Sequence, residues 1–285
     1  MNLKNKILTF FVIFMISSFL VAEENSHNQI FEQNISDFMT LRMNLASCES
    51  PELALKKIDE YCNKKFSGKD YESFSEEEKL VFENFKILEK FNYQIQIPGE
   101  EKNVEKMVTA QYEKAKSYLS KNKKQTLNKW FYSTAADLLS CHLNFASVST
   151  ILSDGLNVKK YYEKALLQDE NLSYALTNLG QWYYFSPGIG GGSKTEALKC
   201  FEKALKVCKT DAETYFAKIF LSQSLFDKSE TKERAISLLN EADSFVPGGS
   251  YISKIKKINS AGYSLLKYNA KRMTMNDIEK ILSKK

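Results

Sequence analysis

The sequence predicts an all-α fold, an α-α superhelix of stacked helical hairpins with extra helices at both ends. Three observations lead there. Apolar residues recur at helical spacing along most of the 285 residues, with only 11 Gly and 4 Pro to break them. Four segments repeat one stripe at the same 4-and-3 spacing: Val108, Tyr112 and Ala115; Val158, Tyr162 and Ala165; Ala197, Phe201 and Ala204; Ala235, Leu239 and Ala242. One stretch, residues 171–209, reads as a complete hairpin. Each hairpin would expose an apolar face that only its neighbours can cover, so the units must stack.

Residues 1–22 have the pattern of a signal peptide. Lys4 and Lys6 precede an almost wholly apolar run, Ile7 to Phe19, and Ala22 supplies the small residue at a cleavage point. The run is short for a membrane span, which needs about 20 residues; the competing reading is an uncleaved N-terminal anchor. Cleavage would leave no stable membrane span and, without the two lysines, a net charge near +3 (+5 − 2). That balance points to no polyanionic partner. Only Arg42, Arg234 and Arg272 stand among the 40 basic residues, which also argues against nucleic-acid binding.

Residues 23–100 read as an N-terminal helical cap region. Ser50 can cap a helix with Pro51 at its first position. Ser75 and Glu78 form a capping box ahead of Leu80, Phe82, Phe85, Leu88 and Phe91, and Pro98-Gly99 ends the region. Residues 101–249 carry the repeats. The final alanines of the four stripes are 50, 39 and 38 residues apart, so the loops are long and the first interval has room for an extra helical turn.

In the third unit, Leu176, Leu179, Gly180 and Tyr183 share one face of a first helix. The glycine on that face allows close approach of a second backbone. Pro187 stops the helix near Ser186, and the proline-glycine stretch Pro187–Gly192 is expected to be a mobile loop. Ser193 with Glu196 opens the second helix, with Ala197, Phe201 and Ala204 on its stripe. Thr210 with Glu213 caps the next helix, and Pro247 follows the last stripe. Residues 250–285 read as C-terminal capping helices. Ile252, Ile255, Ile258, Tyr263 and Leu266 form an apolar side, Lys254, Lys256 and Lys257 a solvated one, and residues 274–282 one further short helix.

Leu179-Gly180, Tyr183, Ala197, Phe201 and Ala204 resemble the tetratricopeptide repeat, with its Leu-Gly, Tyr, Ala-x3-Phe and final alanine. The standard unit places about twelve residues between the glycine and the first alanine of the second helix. Gly180 to Ala197 is 17, and the excess falls in the proline-glycine stretch. A proline followed by Gly-Gly between the repeat helices is similar to bacterial exported repeat proteins, among them the T component of repeat-associated TRAP transporters. The first resemblance implies a scaffold that binds a protein or peptide partner on a concave face lined by first helices. The second implies an accessory subunit that partners a periplasmic solute-binding protein and passes a hydrophobic ligand. Together with the signal-peptide pattern, the second resemblance implies a protein exported to the periplasm or cell envelope of a bacterium.

The concave-face candidates are Tyr174, Thr177, Gln181 and Tyr184, a mixed aromatic and polar stripe beside the buried one. The alternative is that Tyr174 and Tyr184 pack on neighbouring helices. Trp182 and Phe185 are expected to face the adjacent hairpin. No catalytic residue, cofactor site or metal site is expected. His27 sits in what reads as a flexible start of the mature chain, and Cys141 and His142 point to different faces of a helix. There is no H-E-x-x-H or C-x-x-C spacing. Gly190-Gly191-Gly192 lacks the lysine-hydroxyl ending of a phosphate loop. The five cysteines suggest no disulfide framework, and most read as small buried hydrophobes. Asn34 and Asn171 head glycosylation triplets that would matter only in a eukaryotic secretory pathway.

Overall fold

A computed structural model describes residues 26–284, and the inferred signal segment, residues 1–22, lies outside them. Among the described residues the chain is all-α. It runs through α1 (26–45), α2 (Pro51–Phe66), α3 (Lys69–Ser73), α4 (Glu76–Gln94), α5 (Glu101–Lys121), α6 (Lys129–Leu143), α7 (Val148–Gln168), α8 (Ser173–Phe185), α9 (Lys194–Val207), α10 (Asp211–Leu225), α11 (Lys232–Asp243), α12 (Ser250–Ser260), α13 (Leu265–Ala270) and α14 (Met275–Leu282). None of the described helices is long and apolar enough to cross a membrane.

The starts of these helices follow from their caps. Ser50 Oγ accepts from the Leu53 N–H with Pro51 in the first turn of α2. Ser75 with Glu78, and Thr210 with Glu213, close full capping boxes. At α9 only half the box forms. Ser193 Oγ accepts from the Glu196 N–H, while the Glu196 carboxylate turns to Lys199. Each such cap is worth about 1 kcal/mol.

Helices pair as α4–α5, α6–α7, α8–α9 and α10–α11. α5, α7 and α9 also pack on the first helix of the next pair, and the first helices α4, α6, α8 and α10 adjoin in sequence order. The result is a superhelix of stacked hairpins. Its glue is the stripe predicted from spacing: all twelve residues of the four triplets are buried. α4, in the segment before residue 100, is the first helix of the first hairpin. The extra length of the first interval is helical, and forms the first half of α7.

Gly180 is close-packed, but against a ring rather than a backbone. A Cβ there would lie 2.5 Å from the Phe201 ring, which is itself fully buried. The Pro187–Gly192 stretch, expected as a mobile loop, is a built turn. A 3-10 turn spans Gly188–Gly190, Gly190 and Gly192 donate to Pro187 O, and Ser193 donates to Tyr183 O. Gly191 has φ +90°, and a Cβ at Gly192 would fall 1.8 Å from Ser186 O. Glycines serve this turn because it folds back onto the end of α8.

Both ends of the described chain are drawn inward. His27, expected in a flexible start, hydrogen-bonds Glu78 at 3.0 Å. α1 runs across the inner face of the first helices. Phe38 stacks on Phe85 of α4, Glu32 accepts from the Trp130 indole of α6, and Arg42 lies over Tyr174 of α8 and Phe216 of α10. α12 buries the apolar side expected of it, with Ile252, Ile255 and Ile258 fully buried. Its first turn is tied to the end of α1 by Tyr251 N–H to Ala46 O and Ser250 Oγ to Cys48 O. Lys254 is half-buried and burial lowers its pKa; Lys256 and Lys257 pair with Asp243 and Glu279.

Candidate functional site

Between α1 and the first helices lies a cavity of about 620 Å³. Arg42 comes from α1, Glu89 from α4, Asp137 and Cys141 from α6, Tyr174, Thr177 and Gln181 from α8, and Phe216 and Phe220 from α10. Tyr251 of α12 and Leu265 of α13 close it from the C-terminal side. Ile151, Phe185 and Pro187 line it as well, and all three are exposed, which marks the mouth.

Three charged groups sit deep in this space. Arg42 forms an ion pair through Nε with Glu89, not aligned as a hydrogen bond. Its guanidinium centre is 4.9 Å from the Phe216 ring centroid and 5.5 Å from that of Tyr174. Nη1 meets the Met39 thioether at 3.8 Å. Burial opposes the Arg42 charge, but Glu89 and Asp137 hold it well charged.

Asp137 is the centre of the cluster. Oδ1 accepts from the Tyr162 hydroxyl, and Oδ2 accepts from the Tyr174 hydroxyl and from Asn178 Nδ2, the last at 3.4 Å. Desolvation raises its pKa to about 6, against the two tyrosine hydrogen bonds and the Arg42 charge, which pull it down. The same burial, with Asp137 adding to it, pushes Tyr162, Tyr174 and Cys141 well above their ordinary values. A thiol so raised is a poor nucleophile. Though protein surrounds them on all sides, Arg42, Asp137 and Tyr174 keep accessible surface. That surface faces the cavity.

Three of the four residues predicted for a concave face, Tyr174, Thr177 and Gln181, line this cavity. Tyr184 does not. It packs against a separate apolar cluster that includes Phe201, Leu221 and Leu266, with Lys194 Nζ 5.2 Å from its ring centroid. Trp182 does both things: its indole donates to Gly155 O on α7, and it lines the cavity. Cys141 and His142 diverge as their adjacency requires. Cys141 faces the cavity, while His142 Nδ1 lies 3.0 Å from Thr109 Oγ1 and the ring stacks on Tyr112. All five cysteines are free.

Sequence reasoning missed Arg42, Glu89 and Asp137. Signals existed for two of them. Asp137 is the lone carboxylate in the apolar run from Trp130 to Leu139, and Arg42 is one of three arginines in a lysine-rich chain. Among the described residues no cluster of histidine, cysteine and carboxylates could hold a metal ion. No protein-family model matches the chain, and no curated protein matches it significantly.

Proposed function

We propose that the chain is an exported scaffold of tetratricopeptide type that catalyses nothing itself and binds its ligand non-covalently, in the cavity beneath α1. The observation that carries this reading is the cavity: about 620 Å³ of space inside a closely packed helical stack. Its size falls in the usual range of ligand sites, roughly 300–1,000 Å³. Aromatic walls with a few polar groups fit the same class. The ligand is a small molecule or the end of a protein partner's chain, because α1 fills much of the inner face that an extended peptide would need.

A second reading is favoured by that same covering helix. An accessory subunit resembling the TRAP T component would partner a periplasmic solute-binding protein and hold its ligand in an enclosed space rather than an open groove. The lining departs from that expectation, since Arg42, Glu89 and Asp137 make it far from purely apolar.

The test is native mass spectrometry of residues 23–285 isolated from their own cell envelope, before and after mild denaturation. A stoichiometric mass released with unfolding supports the cavity reading. Co-isolation of a solute-binding protein bound at a stable ratio favours the accessory-subunit reading. A chain that arrives empty and stays monomeric under both conditions counts against both.

A further inference from the structure

The charges in the cavity do not balance, and the imbalance has a direction. Two carboxylates, Glu89 and Asp137, face one guanidinium, Arg42, and among the described residues no lysine or histidine lines the space. Glu89 is committed to Arg42. A third carboxylate, Glu213, is turned to the start of α10, where Oε2 accepts from the Lys209 and Thr210 N–H groups. Arg42 also attracts Asp137, but one guanidinium does not neutralise two carboxylates, so an excess negative charge remains on the Asp137 side. The two Asp137 oxygens offer about four acceptor positions, and three donors occupy them: Tyr162, Tyr174 and Asn178. One position, on Oδ1, is open.

A buried carboxylate without a counter-charge is costly, and a cation brought to it recovers much of that cost. The walls suit a cation as well, because aromatic faces attract one within about 6 Å of their centroids. An anion could approach Arg42 only by entering a space that already holds two carboxylates. We propose that the cavity takes a ligand bearing a protonated amine, its ammonium donating to Asp137 Oδ1 and its apolar body lying against Tyr174, Trp182, Phe216 and Phe220. This rests on the cavity being a ligand site. A free arylalkylamine and the N terminus of a peptide carry the same chemistry.

The experiment compares matched probes by calorimetry on the mature chain. The probes are phenylbutylamine, its N-acetyl derivative, phenylpentanoate, and Phe-Ala-Phe amide with a free or acetylated N terminus. A free amine should bind about 10- to 100-fold tighter than the acetylated or carboxylate partner, the scale of a charge-assisted hydrogen bond. Preference within the small pair points to a free amine as the natural ligand, and preference within the peptide pair alone to a chain terminus. Asp137→Asn should abolish the preference.

Should that variant not fold, the pH profile of the native protein decides. Phenylbutylamine stays protonated from about pH 5 to about pH 8, so loss of its affinity as pH falls through about 6 reports protonation of Asp137. The groups facing Asp137 are Arg42 from α1, Glu89 from α4, Cys141 from α6, Tyr162 from α7 and Tyr174 from α8; Glu89 is ion-paired with Arg42, and Arg42, Cys141, Tyr162 and Tyr174 are all shifted upward, away from that window. A carboxylate or acetylated probe that binds as tightly as its amine, or an amine affinity flat across pH 6, overturns the ammonium inference alone. No binding by any probe overturns the cavity reading with it.

Discussion

The second helices and the first helices of the four hairpins differ in how many polar groups they bury. On α5, α7, α9 and α11 the inward stripe is small, large and small, and almost wholly apolar. On α4, α6, α8 and α10 the inward faces carry Asn84, Glu89, Thr134, Asp137, Tyr174 and Gln223. These polar groups are joined across helices: Gln111 Nε2 donates to Asn84 Oδ1 at 2.8 Å, and Asn84 Nδ2 to Thr134 Oγ1 at 3.0 Å. The division separates two tasks. Apolar stripes hold the stack together without directional demands. Polar first helices fix geometry around a space that the stack leaves unfilled.

If the second-helix stripe holds the stack, its largest fully buried member should show the largest effect. Phe201 is fully buried, packs beneath Gly180 and stacks on Phe220 at 6.1 Å between centroids. Phe201→Ala should cost about 3–5 kcal/mol, read as a lower midpoint in urea denaturation. A loss under about 1 kcal/mol would mean the stripe is not what holds α8 to α9. From the other side of the same contact, Gly180→Ala inserts a methyl where 2.5 Å is free, and overpacking of this kind costs about 1–3 kcal/mol. The two changes should not add, since each relieves or loosens the space the other disturbs.

The first-helix face should respond to pH instead. The folded-state pKa of Asp137, about 6, lies above its ordinary 3.8. The group therefore favours the folded state fully below pH 3.8, and that contribution is lost as pH rises through about 6. Asn cannot ionise. Relative to the native chain, Asp137→Asn should thus become more favourable between pH 3.8 and pH 6, by on the order of 3 kcal/mol. Denaturation midpoints of both chains across that range provide the check. A stability difference independent of pH would show that Asp137 is not a desolvated carboxylate.

How much was legible follows the same division. Spacing alone located the four second-helix stripes, because a helical period of apolar residues repeats whatever the neighbours are. Caps at Ser50, Ser75 and Thr210 were legible for an equally local reason. What covers the first helices was not. α1 is an ordinary amphipathic segment, and its seat across α4, α6, α8 and α10 depends on partners such as Phe85 and Trp130, far away in sequence. Tyr174 and Tyr184 lie ten residues apart on one predicted stripe, yet one faces the cavity and the other packs against the apolar cluster that holds Phe201 and Leu266. A helical turn of 3.6 residues rotates such a pair by about 80 degrees, enough to separate the cavity from the next interface.

The smallest effect is expected in the connection between these two kinds of helix. In the Pro187–Gly192 turn, Ile189 is 99% exposed and touches no core cluster. Yet Gly192 is locked, since a Cβ there would strike the Ser186 carbonyl. Ile189→Ser should therefore leave stability within about 0.5 kcal/mol, whereas Gly192→Ala should destabilise measurably by opening the turn. Limited proteolysis reads the same difference locally. The native turn and the Ile189→Ser chain should resist cleavage between Pro187 and Ser193, and Gly192→Ala should admit it. Equal cleavage in all three would mean that the backbone bonds from Gly190, Gly192 and Ser193 do not hold the turn. An exposed isoleucine at the tip of a locked turn, close to the cavity mouth, contributes nothing to the fold. If its replacement changes ligand affinity while stability stays fixed, the tip belongs with the cavity and not with the stack.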